Sequence, residues 1–285
     1  MRRERPARAV DWLPLAWPAA MLLVFFAAPF GTMLAVSTFE RDPAAFYVPG
    51  FTLEHYARFL TPFFGGILGF SLGLAAATAA LCTVVGFPFA WAIVRSGRRA
   101  QALWLVALLS VLSLSEVIIG FAFSTLLSRT AGITNLLVAV GLMDAPEAWL
   151  PGAGAVLAAL VYQSLPYAVL VPYPALARLD PAAVEAAATL GASPLRAFLG
   201  TVVPMARNAI AATAIMVFVF ALGSYLLPQI LGRPRHWTLS VMITDQAIYQ
   251  SNMPFAAAMA VFLVAVALAL VALVARLGRA PEPAA

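Results

Sequence analysis

The stretch DPAAVEAAATLGASPLRAFLGTVVP, residues 180–204, separates two long apolar segments and contains the clearest helix signals in the chain. Asp180 followed by Pro181 is typical of a helix N-terminus, because the carboxylate accepts from free backbone N–H groups and proline fits the first turn. Gly191 is expected to end this helix, and Ser193 with Pro194 repeats the start signal. The stretch therefore predicts a helix, a glycine turn and a second helix that ends at about residue 200.

On these residues alone the predicted helix–turn–helix has two interpretations. The small side chains of residues 186–188 let another protein approach the first helix closely, and Glu185 and Arg196 supply charges beside them. One interpretation is a docking element for a partner protein. The other is an ordinary amphipathic helix that lies in the membrane interface.

The composition of the whole chain excludes a soluble protein. Of the 285 residues, 63% are hydrophobic and 10% are charged, whereas soluble domains have about 45–50% and about 25%. Lipid must therefore be the solvent for most of the surface. All 17 cationic residues are arginine, and they are spread along the chain, so the net charge of +5 does not indicate nucleic-acid binding. A single cysteine, Cys82, excludes a disulfide framework and a cysteine metal site.

Runs without charged residues predict the membrane spans. A helix needs about 20 apolar residues to cross a hydrocarbon core of about 30 Å. Five runs are long enough, and a sixth is interrupted by Glu116 alone. We therefore predict an all-α polytopic membrane protein, a single domain over residues 1–285, with a connecting loop at approximately 178–205. Its six predicted transmembrane helices lie at approximately 13–38, 65–94, 102–127, 151–176, 206–230 and 254–276.

The distribution of arginine predicts the orientation of the spans. Loops on the cytoplasmic side carry an excess of Arg and Lys near the span ends. With the N-terminus inside, twelve arginines fall on inner segments and five on outer segments. We therefore expect both termini and the loop at 178–205 on the cytoplasmic side.

The loop resembles a known family motif. Glu185, Ala186 and Ala187, then three residues, Gly191, nine residues and a segment ending in Pro204 resemble the EAA loop of permease subunits in binding-protein-dependent ABC importers. The family pattern continues after the nine residues as Ile, any residue, Leu and Pro, and residues 201 and 203 depart from it as Thr and Val. The segment 51–60 is similar to the short helix before the second span in that family, and the segments 176–181, 223–232 and 253–259 are similar to its spermidine/putrescine type.

This resemblance implies the type I ABC importer permease fold in a bacterial inner membrane. It implies that Glu185, Ala186, Ala187, Gly191 and Pro204 form an ATPase-coupling loop. The implied partners are a dimer of cytoplasmic ATP-binding subunits, a second permease subunit, an extracytoplasmic substrate-binding protein and the lipid bilayer. Nucleic acid is not an expected partner. The chain lacks the phosphate-binding pattern G-x-x-x-x-G-K-[ST]. We therefore expect no enzyme activity and no cofactor in this chain, with ATP and Mg²⁺ in the partner ATPase.

Four residues are candidates for lining a substrate pathway. Glu116 is the carboxylate deepest in an apolar run, and acids inside a membrane are costly enough to indicate function. Asp245 precedes the last span, and the rings of Tyr162 and Tyr225 could attract ammonium groups. Each has an alternative: an edge position or an arginine partner for Glu116, a solvated loop for Asp245, and packing for the tyrosines.

The predicted function is the membrane pathway of an ATP-driven importer for spermidine, putrescine or a related small organic cation. Ferric iron, thiamine and opines are carried by permeases of the same layout and stay open as alternatives. A secondary transporter is the other alternative, although its paired broken helices in two repeated halves are not recognisable here. An enzyme would need reactive groups at one depth. His55 and His236 lie on outer segments without metal-ligand spacing, so we predict neither catalytic residues nor a metal site.

Overall fold

The computed structural model describes residues 13–42 and 46–278. Five arginines used in the orientation prediction lie outside these residues, namely Arg2, Arg3, Arg5, Arg8 and Arg279. In the described part the chain is helical, apart from loops and an isolated antiparallel bridge between Glu40 and Val48.

The described residues contain sixteen α-helices, and the longest connections between them precede α3 and α8. The first half contains α1 (Leu13–Leu22), α2 (Ala28–Val36), α3 (Glu54–Phe59), α4 (Pro62–Arg95), α5 (Arg98–Leu112), α6 (Glu116–Leu126) and α7 (Ile133–Ala139). The second half contains α8 (Ala153–Leu170), α9 (Tyr173–Ala177), α10 (Pro181–Thr189), α11 (Pro194–Ala197), α12 (Val203–Met205), α13 (Arg207–Gly223), α14 (Leu226–Leu231), α15 (Leu239–Thr244) and α16 (Met253–Gly278). Single π-helical turns at Leu23–Ala27, Phe198–Val202 and Asp245–Tyr249 continue the adjoining helices.

Four of the described helices are long and apolar enough to cross a membrane unbroken. They are Ala16–Val36, Pro62–Arg95, Ala153–Ala177 and Met253–Val274. Two bent pairs also qualify if each counts as one span: α5 with α6, bent by 93°, and residues 194–205 with α13, bent by 76°. The all-α membrane fold predicted from the sequence is therefore confirmed, with up to six spans.

The predicted third span, 102–127, is divided in the structure. Helix α5 ends at Leu112 and α6 begins at Glu116 after the sharp bend. The N-cap of α6 is Ser115, whose hydroxyl accepts from the backbone N–H of Val117 at 3.3 Å. A serine cap and an acid in the first turn start a new helix more favourably than they continue an old one, which accounts for the difference from a continuous span.

The predicted fifth span, 206–230, is also divided. Helix α13 stops at Gly223, and α14 starts again at Leu226. Pro228 lies four residues after Ser224, so its ring opposes the Ser224 carbonyl and it offers no N–H for a helical bond. The second loop helix, by contrast, runs beyond the predicted end near residue 200 and reaches Met205 before it bends at Ala206.

The contacts divide the chain into two compact units. The first contains the residues up to Thr61 together with Ile243–Leu263. In it the guanidinium of Arg58 lies 4.6 Å from the ring centre of Phe255, and the rings of Phe59 and Phe262 are 4.5 Å apart. These contacts hold the short helix α3 against the beginning of α16.

The second unit contains Pro62–Met242 and the chain from Val264 onward. Its core is built on the crossing of α4 and α8, where Gly86 approaches Ala168 so closely that a Cβ on the glycine would lie 2.7 Å from the alanine Cβ. Such close backbone approach is the usual role of small residues between membrane helices. Helix α8 contributes to two buried apolar clusters of this unit, one that contains Leu160 and another that contains Val169.

Candidate functional site

The first helix of the loop, α10, begins where its cap residues dictate. The Asp180 carboxylate accepts from the backbone N–H of Ala182 at 3.0 Å, and Pro181 occupies the first helical position. The start predicted from the sequence is therefore confirmed. Glu185, Ala186 and Ala187 lie on this helix, and Glu185 and Ala186 are exposed.

Gly191 forms the turn after α10. Its φ is +84°, in the left-handed region that glycine adopts without a steric penalty. The Ala192 N–H donates to the Ala187 carbonyl at 3.0 Å, and the Gly191 N–H donates to the Ala188 carbonyl at 3.0 Å. This pair of bonds is the Schellman motif, which satisfies the last carbonyls of a helix and fixes the direction of the chain that follows.

The second helix of the loop leads directly to the membrane. The Ser193 hydroxyl accepts from the backbone N–H of Arg196 at 3.4 Å, which confirms the second predicted cap. From Pro194 the chain stays helical through α11, a π-helical turn and α12, which contains Pro204. The 76° bend at Ala206 then joins this segment to α13. The loop is therefore joined to α13 by a helical segment and one sharp bend, with Ala206 as the single non-helical residue between them.

The loop packs beside the end of α4. Two cavities, of about 360 Å³ and about 220 Å³, separate the two elements. Both are lined by Trp91 and Arg95 from α4 and by Val184 and Glu185 from α10. The Arg95 guanidinium lies 5.5 Å from the ring centre of Trp91. Glu185 therefore stands at the edge of the loop, next to the basic end of a long membrane helix.

Three leucines make the loop an exposed apolar surface. Leu190 is 88% exposed, Leu195 is 67% exposed and Leu199 is 55% exposed. We call these three residues the leucine patch. All three lie within ten residues of one another in the loop, and large exposed apolar surface of this kind is typical of protein interaction sites.

A polar pair joins the two divided spans at their breaks. The Ser224 hydroxyl donates to Oε1 of Glu116 at 2.6 Å. Glu116 begins α6, and Ser224 lies directly after α13. The Ser224 side chain is buried, with 8% of its surface exposed, while Glu116 is partly exposed. The carboxylate that the sequence singled out is therefore held by a partner that the sequence did not reveal.

Helices α6 and α14 lie side by side from these breaks onward. A Cβ on Gly120 of α6 would lie 2.9 Å from Cδ1 of Ile230 on α14. The Gly152 N–H, just before α8, donates to the Leu231 carbonyl at 2.9 Å and ties the end of α14 to the start of α8. The end of α6 is also tied to the segment before α8, because the Trp149 N–H donates to the Leu127 carbonyl at 3.1 Å.

The other pathway candidates are placed as follows. Tyr225 is exposed and follows Ser224, the hydrogen-bond partner of Glu116, directly in the chain. Tyr162 is also exposed and packs on α6, with its ring centre 5.6 Å from that of Phe123. Asp245 belongs to the other compact unit, where it is partly exposed and opens the turn Asp245–Tyr249. Sequence reasoning missed Ser224, Trp91 and Arg95; the proline four residues after Ser224 was the available signal for a break there.

His236, in the loop after α14, is held neutral by its surroundings. Burial lowers the pKa of His236, and the charges of Arg235 and Arg233 lower it further. The Arg235 Nε–H donates to the ring Nε2 at 3.2 Å, which requires the lone pair of an uncharged ring. Among the described residues no group of three His, Cys, Asp or Glu side chains is placed to hold a metal ion.

Comparisons with known proteins agree with this arrangement. A family model described as "Binding-protein-dependent transport system inner membrane component" matches residues 83–284. The spermidine/putrescine transport system permease protein PotB of Escherichia coli (strain K12) is 29% identical over 242 residues, which cover 85% of this chain and 88% of that protein.

Two solved structures are similar in fold. A bacterial ABC transporter involved in the import of the acidic polysaccharide alginate matches with a TM-score of 0.75 at 20% identity, over 96% of this chain and 97% of that chain. The bacterial alginate ABC transporter in complex with an alginate pentasaccharide-bound periplasmic protein matches with a TM-score of 0.72 at 20% identity, over 95% of each chain.

Proposed function

Because this chain belongs to the family of binding-protein-dependent transport system inner membrane components and is a permease subunit of an ABC importer, we propose that its substrate is a polyamine such as spermidine or putrescine. The observation that carries the proposal is the similarity to PotB, which extends over 85% of the chain. A partly exposed carboxylate at Glu116 and an exposed aromatic ring at Tyr225 support it, because both attract ammonium groups. Tyr162 and Asp245 are the further proposed pathway residues.

The loop at 178–205 is the proposed docking site of the ATPase. Support comes from the capped helix, the fixed turn at Gly191 and the leucine patch, which together offer a stiff surface that apolar contacts can stabilise. Glu185 supplies a charge at the edge of this surface. In this role Glu185, Ala186, Ala187, Gly191 and Pro204 transmit ATPase closure to α13.

The other proposed subunits of the complex follow from the assignment of this chain as an ABC importer permease. A dimer of ATP-binding subunits holds ATP and Mg²⁺, and a second permease subunit completes the pathway across the inner membrane. Both termini of this chain face the cytoplasm. An extracytoplasmic binding protein delivers the substrate; one structurally similar transporter was crystallised with a substrate-bound periplasmic protein, which supports this assignment.

Uptake into liposomes tests the substrate. The tagged chain is purified from its native membrane with its partners bound and is reconstituted with ATP inside the vesicles, and radiolabelled spermidine and putrescine are offered with the binding protein. We expect uptake that requires ATP. Uptake without ATP would favour a secondary transporter, and ATP-driven uptake of thiamine or ferric iron without polyamine uptake would overturn the polyamine proposal.

The leucine patch provides a separate test of ATPase docking. Leu190→Asp and Leu195→Asp should reduce the amount of ATPase that copurifies with the chain, because each places a charge on the contact surface. Leu142→Asp is the matched control, since Leu142 is 72% exposed but lies after α7, away from the loop in sequence. Equal ATPase recovery from all three variants would place the docking surface elsewhere.

A further inference from the structure

The two divided spans break at comparable distances from their arginine ends. Helix α5 has 15 residues from Arg98 to its end, and α13 has 17 residues from Arg207 to its end. At a rise of 1.5 Å per residue these lengths are about 22 Å and about 25 Å. Both lengths are shorter than a hydrocarbon core of about 30 Å, so neither α5 nor α13 is long enough to cross it alone.

The Glu116–Ser224 bond is the polar link across these breaks. Its length of 2.6 Å is that of a strong hydrogen bond from a hydroxyl to a carboxylate. A carboxylate has acceptor positions beyond the one that Ser224 occupies, and Glu116 is partly exposed, so a further donor can reach it. The link therefore has a buried side, formed by Ser224, and an accessible side.

The end of α13 is held in place by other bonds. The Ser240 hydroxyl donates to the Leu222 carbonyl at 2.7 Å, and the Leu239 N–H donates to the Ser71 hydroxyl of α4 at 2.8 Å. These contacts anchor the break of α13 to α15 and α4 independently of Glu116. Loss of the Glu116–Ser224 bond would therefore remove the polar link at the first turn of α6, while α13 keeps its position and α6 stays packed on α14 from Gly120 onward.

An ammonium group is the chemistry that competes best with Ser224 for Glu116. It carries a full positive charge and three donors, whereas the serine hydroxyl is neutral and has one donor. Tyr225, next to Ser224, presents an exposed ring that attracts the same charge. A neutral or anionic substrate has no comparable advantage over the hydroxyl.

We propose that Glu116 and Ser224 form a substrate-operated latch, in which a substrate ammonium group takes over the Glu116 carboxylate, displaces the Ser224 hydroxyl and frees α6 at its first turn. The ammonium part of this inference rests on the proposed polyamine function. Glu116 is then the residue that selects cations, and Ser224 is a positioning residue that keeps the span closed until a cation arrives.

Three variants, tested in the reconstituted complex, distinguish the role of the Glu116 charge from the role of the Glu116–Ser224 hydrogen bond. Glu116→Gln keeps a hydrogen-bond acceptor for Ser224 but removes the charge, so spermidine uptake should fall about tenfold or more. Glu116→Asp keeps the charge but shortens the side chain, and Ser224→Ala keeps the carboxylate but removes the donor. Both should retain uptake while ATP hydrolysis without binding protein rises severalfold, because the closed state is no longer held.

Glu147→Gln is the matched control, since Glu147 is an exposed carboxylate in a loop after α7. It should match the wild type in both assays. If Glu116→Gln transports spermidine as fast as Glu147→Gln, the selecting role is overturned. If Ser224→Ala and Glu116→Asp leave basal ATP hydrolysis unchanged, the latch is overturned. Wild-type complex that transports no polyamine would instead refute the proposed function, and with it the ammonium part, while the ATP hydrolysis assay still decides the latch.

Discussion

Gly191 is a residue whose backbone angle, rather than its surroundings, demands glycine. A Cβ placed on it would meet no atom of the described residues within 4 Å, yet its φ of +84° is unfavourable for residues with a side chain. Valine there should cost about 1–2 kcal/mol and redirect the second loop helix. Asparagine, which tolerates this region, should cost less.

We therefore expect Gly191→Val to insert into the membrane but to lose transport and most of its copurifying ATPase, and Gly191→Asn to keep more of both. Substrate uptake and ATPase recovery are the measurements. Normal transport by Gly191→Val would show that the turn does not fix the coupling geometry.

His236 should make the folded protein sensitive to mild acid. Its pKa in the folded state lies below the usual value of about 6.5, so the unfolded chain binds the proton more readily. The stability that the neutral ring contributes is therefore complete above about pH 6.5 and is lost as the pH falls from there towards the lowered folded pKa.

The measurement is the unfolding temperature of the purified protein, taken between about pH 7.5 and about pH 5.5. His236→Asn should lose less on acidification than the wild type, because asparagine does not titrate. Parallel losses in the two proteins would assign the acid sensitivity to other groups.

Local signals predicted some residues of the candidate site and not others. Asp180, Ser193 and Gly191 act on atoms within a few residues of themselves, so their roles as caps and turn could be predicted from sequence and are confirmed. Ser224 acts on Glu116, which is 108 residues away along the chain. No spacing rule connects them, and their hydrogen bond exists because two separate helix breaks meet.

At the scale of the helices, the crossing of α4 and α8 gives a matched pair of substitutions. Gly86→Ala places a methyl group 2.7 Å from the Ala168 Cβ and should destabilise the protein by about 1–3 kcal/mol. Gly73→Ala, on the same helix, meets nothing within 4 Å among the described residues and should be neutral or stabilising through helix propensity.

Unfolding temperatures of the two variants in the same detergent test this pair. A Gly86→Ala protein as stable as Gly73→Ala would mean that the two helices separate easily at this point. It would then weaken the description of α4 and α8 as the rigid centre of their unit.

Helix existence was easier to predict than helix continuity. The length of a run without charged residues identifies a segment that is stable in lipid. This criterion located apolar helices in all six predicted spans. It treats 102–127 and 206–230 as uniform, however, while the chain itself distinguishes them through Ser115 and Pro228. At those points the Ser115 hydroxyl and the N–H that Pro228 lacks decide where the helix is interrupted, whatever the length of the apolar stretch. They do so because backbone groups in a membrane must find hydrogen-bond partners inside the protein.

At the scale of the whole molecule, the single cysteine makes the proposed orientation measurable. Cys82 is fully buried, so the wild type should react little with a thiol reagent. Leu190→Cys and Phe51→Cys each add a thiol at an exposed position, one on the loop at 178–205 and one before α3. With both termini in the cytoplasm, a membrane-impermeant maleimide should label Leu190→Cys in inside-out vesicles and Phe51→Cys in right-side-out vesicles. The reverse pattern would invert the orientation.

Composition predicted a membrane protein but not what surrounds each span. In the helix Ala16–Val36 none of the most apolar window is buried against the rest of the chain, whereas 44% of the corresponding window of Ala153–Ala177 is buried. Both read as apolar segments in the sequence. Their difference arises from tertiary packing, which hydropathy does not encode.

The leucine patch also bears on how a cell regulates the amount of this protein. On the proposed orientation, a newly made subunit presents Leu190, Leu195 and Leu199 to the cytosol until an ATPase covers them. Exposed apolar residues are what chaperones and proteases use to recognise unfinished proteins. We therefore expect a subunit without its ATPase to be degraded faster than an assembled one. The surface that we propose as the ATPase docking site would in this way match the number of permeases to the number of ATPases.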